Sequence, residues 1–504
     1  MRSYTLALIA TFVAPFCMSQ SVNEVVGHTL PQLNGSARYS AMAGAFGALG
    51  GDLTAVSQNP AAGAVFLHSE VGLTGGFYEA QTKTNYFGSR LQQENSNFNI
   101  NQFGLNLVFN NAQEDSDWKK VNIGFNMHTQ TQFSNQYNAQ GYNSRNGLDA
   151  YFLYYADGIP LSEIELYDNE TLTDAYQELG EVYGFGAQQA FLGFHAYAIN
   201  PNATTAENDT YSSNALYTKL FHDYYLNDLG HHRKYSFNVG SVYKDVLFLG
   251  ANLNLHKIRY QKTESIKEFD YAPNSNLNEL YFENELTSYG NGISMQLGAI
   301  FNLDNWRLGL SYDSPQWLEI NEELQQYVAA SHYISGTPYN DIVAPDYINF
   351  YEPYQMKLPS KLTASFAYII GKKGLISVDY STQNFQNIHF SDNQNSNYFN
   401  TLNQNISSTF KSVQQLRLGA EYRIKRISFR GGFFSQQAAL KQIDEANTGV
   451  TTGLGLDFGN KNLNLALVFQ QQNSRYSLLN EGLTDSYNLF EKITQFVISY
   501  NLKL

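Results

Sequence analysis

The sequence is short of charge. Asp, Glu, Lys and Arg make up only 15% of its 504 residues, against about a quarter in a typical soluble protein. What charge there is leans acidic, with a formal net of −14, which sets aside a nucleic-acid partner. Cys17 is the one cysteine, so a disulfide framework and Cys-based metal sites are excluded. Beyond the N-terminus there is no continuous apolar run of about 18 residues, and the mean hydropathy is −0.36. A bundle of membrane helices is therefore excluded. There is also no Gly-rich phosphate loop, zinc-ligand spacing or nucleotide signature, and no cofactor or metal is expected.

The N-terminus reads as an export signal. Arg2 supplies the positive start, and Tyr4 to Phe16 form an apolar stretch too short for a comfortable span. Small or polar residues follow at Cys17, Ser19 and Gln20, which places cleavage near Ser19–Gln20. Phe16 is too bulky to precede a lipidated cysteine, so Cys17 is expected to leave with residues 1–19.

What the chain has in quantity is Gly (38), Tyr (37) and Phe (34), a composition suited to strands, tight turns and interfacial aromatic girdles. Apolar and polar residues alternate with period two in many short segments. Leu247, Leu249, Ala251, Leu253 and Leu255 form one such row, and Ile293, Met295, Leu297, Ala299, Phe301 and Leu303 another. In a strand this puts each set on its own face. Fourteen segments of this kind are predicted, near 69–82, 96–111, 119–134, 233–243, 246–268, 282–303, 306–318, 358–370, 375–390, 412–424, 426–437, 448–458, 463–476 and 491–504. Short turns such as Lys244–Asp245 and Asp304–Asn305 alternate with long connections such as 141–232, 321–355 and 393–411. Short turns on one rim, long loops on the other and an even strand number describe an outer-membrane β-barrel, all-β and antiparallel. Tyr243, Trp306, Tyr422 and Phe458 beside the short turns suit a periplasmic girdle. The last strand, with Phe496, Ile498, Tyr500, Leu502 and Leu504 on one face, suits recognition by the barrel assembly machinery, although Leu504 departs from the usual aromatic ending. A monomer in contact with outer-membrane lipid is expected.

Ahead of the first strand lies a run of small residues, Ser36 to Ala61, in which Gly44, Gly47, Gly50 and Gly51 precede Asp52, and Asn59-Pro60-Ala61 closes the segment. This stretch resembles the N-terminal region of the FadL/TodX family of outer-membrane transporters for long-chain fatty acids and other hydrophobic compounds. The resemblance implies a hatch, residues 20–67, plugging a 14-stranded barrel, residues 68–504. It also implies that hydrophobic ligands are captured outside and leave sideways through the barrel wall. Glycines can pack backbone closely in a crowded lumen, and Asn-Pro favours a fixed bend.

Arg307, Asp379, Arg417, Glu421, Arg430 and Asp457 fall on the face opposite the apolar rows and are expected to form a polar lumen network, with Arg38 and Asp52 as partners from the hatch. One of these arginines is a candidate for a fatty-acid carboxylate. The long connection 141–232 is unusually apolar: Phe152, Tyr154, Tyr155, Phe191 and Phe194 are candidates for ligand capture, and 171–183 reads as a short helix. Exposed apolar surface of this kind needs a partner, either a ligand in an outer capture groove or a small core of its own that caps the barrel. His231-His232 read as a solvated loop end, whereas His128, His256 and His389 should point inward. The expected function is passive uptake of a hydrophobic, fatty-acid-like molecule rather than enzymatic chemistry. The alternatives are a FadL-like barrel serving protein secretion or surface attachment, and a barrel hydrolase built on a lumen histidine.

Overall fold

The computed structural model describes residues 32–504 except 114, 393–395 and 444, and the side chains of 396 and 397 are also left out. The export signal and the first part of the hatch fall outside these residues. Fourteen antiparallel strands close into a barrel: β1 (Glu70–Tyr86), β2 (Ser89–Asn110), β3 (Trp118–Phe133, continued by Gln136–Asn143), β4 (Leu220–Tyr243), β5 (Leu247–Phe269), β6 (Leu277–Leu303) and β7 (Trp306–Asp313, continued by Gln316–Ile334). The circuit continues through β8 (Asn349–Leu358 and Lys361–Ile370), β9 (Gly374–Asn384), β10 (Ser412–Ile424), β11 (Ile427–Gln436), β12 (Asn447–Asp457), β13 (Lys461–Ser477) and β14 (Ser486–Lys503). β14 pairs with β1 from Glu70↔Lys503 to Asn85↔Asn488, which leaves no open edge.

Leu249, Leu253, Leu255, Met295, Leu297, Leu308 and Leu310 are exposed on the outside of the barrel, while Asn238, Asn252, Asn254 and Gln296 between them in register are buried in the lumen. A closed barrel satisfies its own backbone, and an apolar outer belt fits lipid rather than water. The chain is thus a membrane-spanning barrel of the outer-membrane type. Trp306, Tyr422 and Phe458 are exposed beside the short turns, as a girdle requires. Among the described residues no helix is long and apolar enough to cross a membrane.

The strands run further outward than the alternation predicts. β3 extends to Asn143 and β4 begins at Leu220, so both ends of what reads as loop at 141–232 are strand. Likewise 321–355 is mostly strand, with Thr337–Val343 folding back on β7. Above the membrane the outer face meets water while the inner face packs on the cap, as Tyr224, Ile266, Leu280 and Phe282 do. The two faces no longer divide as they do in lipid, and the period-two signal fades. Loop lengths also break the expected rule once: β1 and β2 join at the outer rim through the two-residue turn Phe87-Gly88, both at positive φ, the geometry of a tight hairpin. The segment predicted as strand to residue 390 instead ends at Asn384 and passes through a turn of 3-10 helix at Phe385–Asn387.

Candidate functional site

The small-residue segment lies inside the barrel. It forms one short helix, α1 (Ala37–Ala41), and two 3-10 turns at Ala55–Ser57 and Pro60–Val65. Ser36 caps α1 and Asn59 caps the second turn, with Pro60 at its first position. Asp52 is buried, accepting from Ser36 Oγ at 2.6 Å and from the Thr54 amide at 2.9 Å. Gly44, Gly50 and Gly51 have positive φ, which a side chain would strain. Gly47 has a different reason: a Cβ there would lie 2.0 Å from Ser365 Oγ on the wall.

The wall makes room in return. A Cβ on Gly298 would lie 1.9 Å from Asn59 Oδ1, one on Gly250 2.3 Å from the Pro60 carbonyl, and one on Gly309 2.2 Å from the Gly47 carbonyl. Sequence reasoning missed these strand glycines, yet the signal was available, because glycine inside a strand marks close approach of another backbone. It also missed an inward amide chain: Asn122 donates to Asn238, Asn238 to Asn252 and Asn252 to Gln296. The same side chains donate to the hatch carbonyls of Pro60, Val56 and Ser57.

The expected lumen network divides into three places. Glu421 accepts from Arg38 Nε at 3.0 Å and from Arg430; Asp457, bonded to Arg423 at 3.2 Å, borders the same pocket of about 280 Å³ beneath the hatch. Arg307 stands apart and donates to the Leu49 carbonyl at 2.8 Å. Arg417 lies on the other side of the hatch, where Nη1 donates to the Tyr39 hydroxyl at 2.7 Å and to the Gly44 carbonyl at 3.4 Å. Asp379 accepts from the Gly47 amide and from Gln58.

Outside the hatch, residues 144–219 fold into a helical cap: α2 (Leu148–Ala156), α3 (Leu161–Ile164), α4 (Leu172–Val182) and α5 (Phe185–His195). Thr171 caps α4 with its side chain, so the helix read at 171–183 is where the sequence put it. Phe152 and Phe191 are fully buried in a core that the cap shares with the tops of the strands, Tyr224, Phe282 and Tyr487 among them. Phe194 packs on that core and Tyr154 points outward, 54% exposed. Of the five expected capture residues only Tyr155 lines the space below, where Tyr151 and Phe185 join it. The apolar cluster seen in the sequence is mostly a folded core, because helices turn one face inward and bury it.

Between cap and hatch lies a cavity of about 610 Å³, within the size range of small-molecule sites. Its walls include Phe133, Tyr224, Tyr260, Leu402, Phe434, Leu479 and Tyr487, and Arg417 is the lumen arginine that borders it. Thr131, Gln132 and Phe133 of β3 also line it. There the wall has a seam. The β2–β3 ladder stops at Gln102↔His128. Beyond that point side chains join the two strands: Asn99 to Gln132, Asn97 Nδ2 to Ser134 Oγ at 2.7 Å, Asn95 Nδ2 to the Ser134 carbonyl at 2.7 Å and Gln93 Nε2 to Asn138 Oδ1 at 2.9 Å.

The histidines singled out in the sequence fall in several places. His231 and His232 lie on β4, not on a loop, and His232 is buried against His256 at 3.1 Å. His128 points inward to the Asn34 carbonyl, but His389 is exposed. His256 contacts Ser294 Oγ at 2.8 Å, and neither borders the cavity or the pocket beneath the hatch. Among the described residues no group of three or more His, Cys, Asp and Glu is placed to hold a metal ion.

Solved structures share this arrangement from end to end. A Pseudomonas aeruginosa FadL homologue superimposes with a TM-score of 0.55 at 10% identity, covering 94% of this chain and 99% of its own. The Pseudomonas putida toluene transporter TodX gives 0.52 at 13% identity, covering 94% and 100%. The fold is that of the FadL/TodX barrels. The monoaromatic hydrocarbon channel CymD gives 0.50 at 12% identity over 94% and 99%. No protein-family model matches the sequence, and no curated protein matches it as a relative. At these identities the FadL/TodX likeness is one of overall fold. These structural neighbours are transporters and channels by their descriptions.

Proposed function

We propose that this barrel takes up hydrophobic molecules across the outer membrane, passively, and that its ligand is a fatty-acid-like amphiphile. The observation that carries the reading is the cavity between cap and hatch, with Arg417 at its floor. Its walls mix tyrosines and apolar side chains with polar ones, Asp228, Lys262, Glu264 and Glu491 among them. An apolar tail gains roughly 0.8 kcal/mol for each methylene it takes out of water, so transfer from cap to cavity needs no energy input. A carboxylate at Arg417 would compete for the guanidinium that holds Tyr39 and Gly44 of the hatch, coupling arrival of the ligand to loosening of the plug. Exit is through the wall beside β3, where amide side chains rather than a backbone ladder close the seam.

Native mass spectrometry of the purified barrel with lipid extraction tests the reading. A stoichiometric amphiphile, lost in Arg417→Gln, supports it. An empty barrel that brings down a protein partner would move the assignment to secretion or attachment. For the exit, Asn97→Cys paired with Ser134→Cys should, once oxidised, block uptake while leaving the bound ligand in place. Uptake that continues through a locked seam would remove the lateral route.

A further inference from the structure

The outer face of the barrel carries a cluster of cations with no ion pair among the described residues; Glu319 of β7 shares the row of Lys257 but stands two strands away, beyond Asn291. On β4, Tyr235, Phe237 and Val239 face outward, and Arg233 and His231 continue that row above them. On β5, Leu253 and Leu255 are followed on the same face by Lys257 and Arg259, both exposed. The register puts Arg233 directly opposite Lys257 and His231 directly opposite Arg259. Directly opposed cross-strand residues have Cβ atoms about 5 Å apart, and like charges there are destabilising. The neighbours do not relieve them. Thr129 of β3 lies across from Arg233, Asn291 of β6 across from Lys257, and Tyr289 across from Arg259. The rows just below and just above on these strands contain no acid either. Among the described residues none of the three cations has an ion pair, Arg233 Nε is buried without a partner, and Arg259 only stacks over the Tyr289 ring at 6.0 Å.

Height in the membrane says what the missing counter-charge is. The cluster begins one position beyond Tyr235 and Leu255, where the unbroken apolar rows of β4 and β5 stop on the rim of the long loops, with Leu229 alone exposed above it on β4. Acyl chains lie against the belt, and the headgroups of the outer leaflet begin where it stops. We propose that Arg233, Lys257 and Arg259 form a binding site for the phosphates of a lipid headgroup in the outer leaflet, with the acyl chains seated on the belt below. Guanidinium forks suit phosphate oxygens, and a lysine adds a compact charge. The proposal needs only a barrel in its membrane and stands apart from what the lumen carries.

The test reconstitutes the full chain in phosphatidylcholine nanodiscs containing diphosphoryl lipid A, its dephosphorylated form, or neither, and releases it for native mass spectrometry. A retained diphosphoryl lipid A adduct is expected, with none for the dephosphorylated lipid. The triple variant R233Q/K257Q/R259Q should lower the adduct between about tenfold and a hundredfold, since each basic group near a charged membrane surface contributes comparably. The three single variants should each lower it a few-fold, with heat-modifiable gel migration verifying the folded barrel. Equal retention of the dephosphorylated lipid, or an adduct indifferent to all four variants, would overturn the site. Displacement of the adduct by excess inorganic phosphate would overturn the lipid as its occupant.

Discussion

Two small units close the two ends of one cavity, and they are built on opposite principles. The hatch carries one ionisable cation, Arg38, and one acid, Asp52, between residues 32 and 66, and its other residues are mostly small. It is held by backbone pressed onto wall glycines and by amide side chains reaching its carbonyls. The cap, residues 144–219, has eleven acidic residues against Arg145 and Lys219, so it holds most of the chain's net charge of −14. It is held by an apolar core shared with the tops of the strands, in which Phe152, Phe191 and Tyr176 are buried beside Phe282 and Tyr224. A unit surrounded by wall on every side needs small residues and polar anchors. One that meets water on its outer face can afford helices with a charged surface and an apolar interior.

The difference can be broken first from the wall. Gly250→Val with Gly298→Val puts side chains where Pro60 and Asn59 now lie. Overpacking normally costs about 1–3 kcal/mol at each site, and more where backbone blocks it, so two such sites together outweigh any single substitution. The second half of the hatch should leave its seat, with the barrel still folded. Planar-bilayer conductance should rise from closed to open, and trypsin should cut at Arg38. A silent, uncut double variant would mean that the glycines do not seat the hatch. Next in size is Glu421→Gln, which leaves Arg38 and Arg430 without their shared carboxylate. Breaking a buried ion pair costs about 3–5 kcal/mol. Cleavage at Arg38 should appear, and Arg38→Gln added to the same chain should restore part of the loss of thermal stability in a double-mutant cycle.

The same contrast explains what the sequence made legible. All fourteen strands were readable where lipid forces alternation, as in Leu247 to Leu255, and unreadable where β4 rises above the membrane through Phe221, His222, Asp223 and Tyr224. The hatch showed as a motif because nearly every position in Gly44 to Ala61 is constrained by a turn or a contact with the wall. Its partners did not show, since Gly250 and Gly298 look like interruptions until a second backbone is placed against them. The arginines could be assigned to the lumen but not sorted. Arg38 and Arg430 meet below the hatch and Arg417 lies above it, a division set by strand height rather than by residue type. In the cap, the aromatic cluster announced a folded unit, but helix rotation decided that Tyr155 faces the cavity while Phe152 and Phe191 face each other's helices.

Truncation inside the cap sharpens the comparison from its other side. Phe152→Ala should cost the cap about 3–5 kcal/mol, because the side chain is fully buried between α2, α5 and Phe282. Hydrogen exchange along Phe185–His195 should accelerate while the barrel strands and the hatch keep their protection. Equal loosening of the hatch would show the two closures to be one cooperative unit.

The smallest effect expected is one of pH, and it belongs to the cap alone. Burial, reinforced by Glu268 nearby, pushes the Asp149 carboxyl at the start of α2 up to about 6, against hydrogen bonds from Ser213, the Ala150 amide and Tyr217 that pull it down. The folded cap therefore holds this proton more tightly than the unfolded chain does, whose carboxyl titrates near 3.9. The resulting stabilisation is complete below the unfolded value and is lost as pH rises through about 6. It amounts to at most about 3 kcal/mol. Exchange along Leu148–Ala156, corrected for its intrinsic pH dependence, should slow as pH falls from 7 to 5, and Asp149→Asn should remove most of that change. The hatch, in which no comparable carboxyl faces the cap, should exchange at the same corrected rate at both values; a hatch that followed the cap would tie the two ends of the cavity together through the barrel wall.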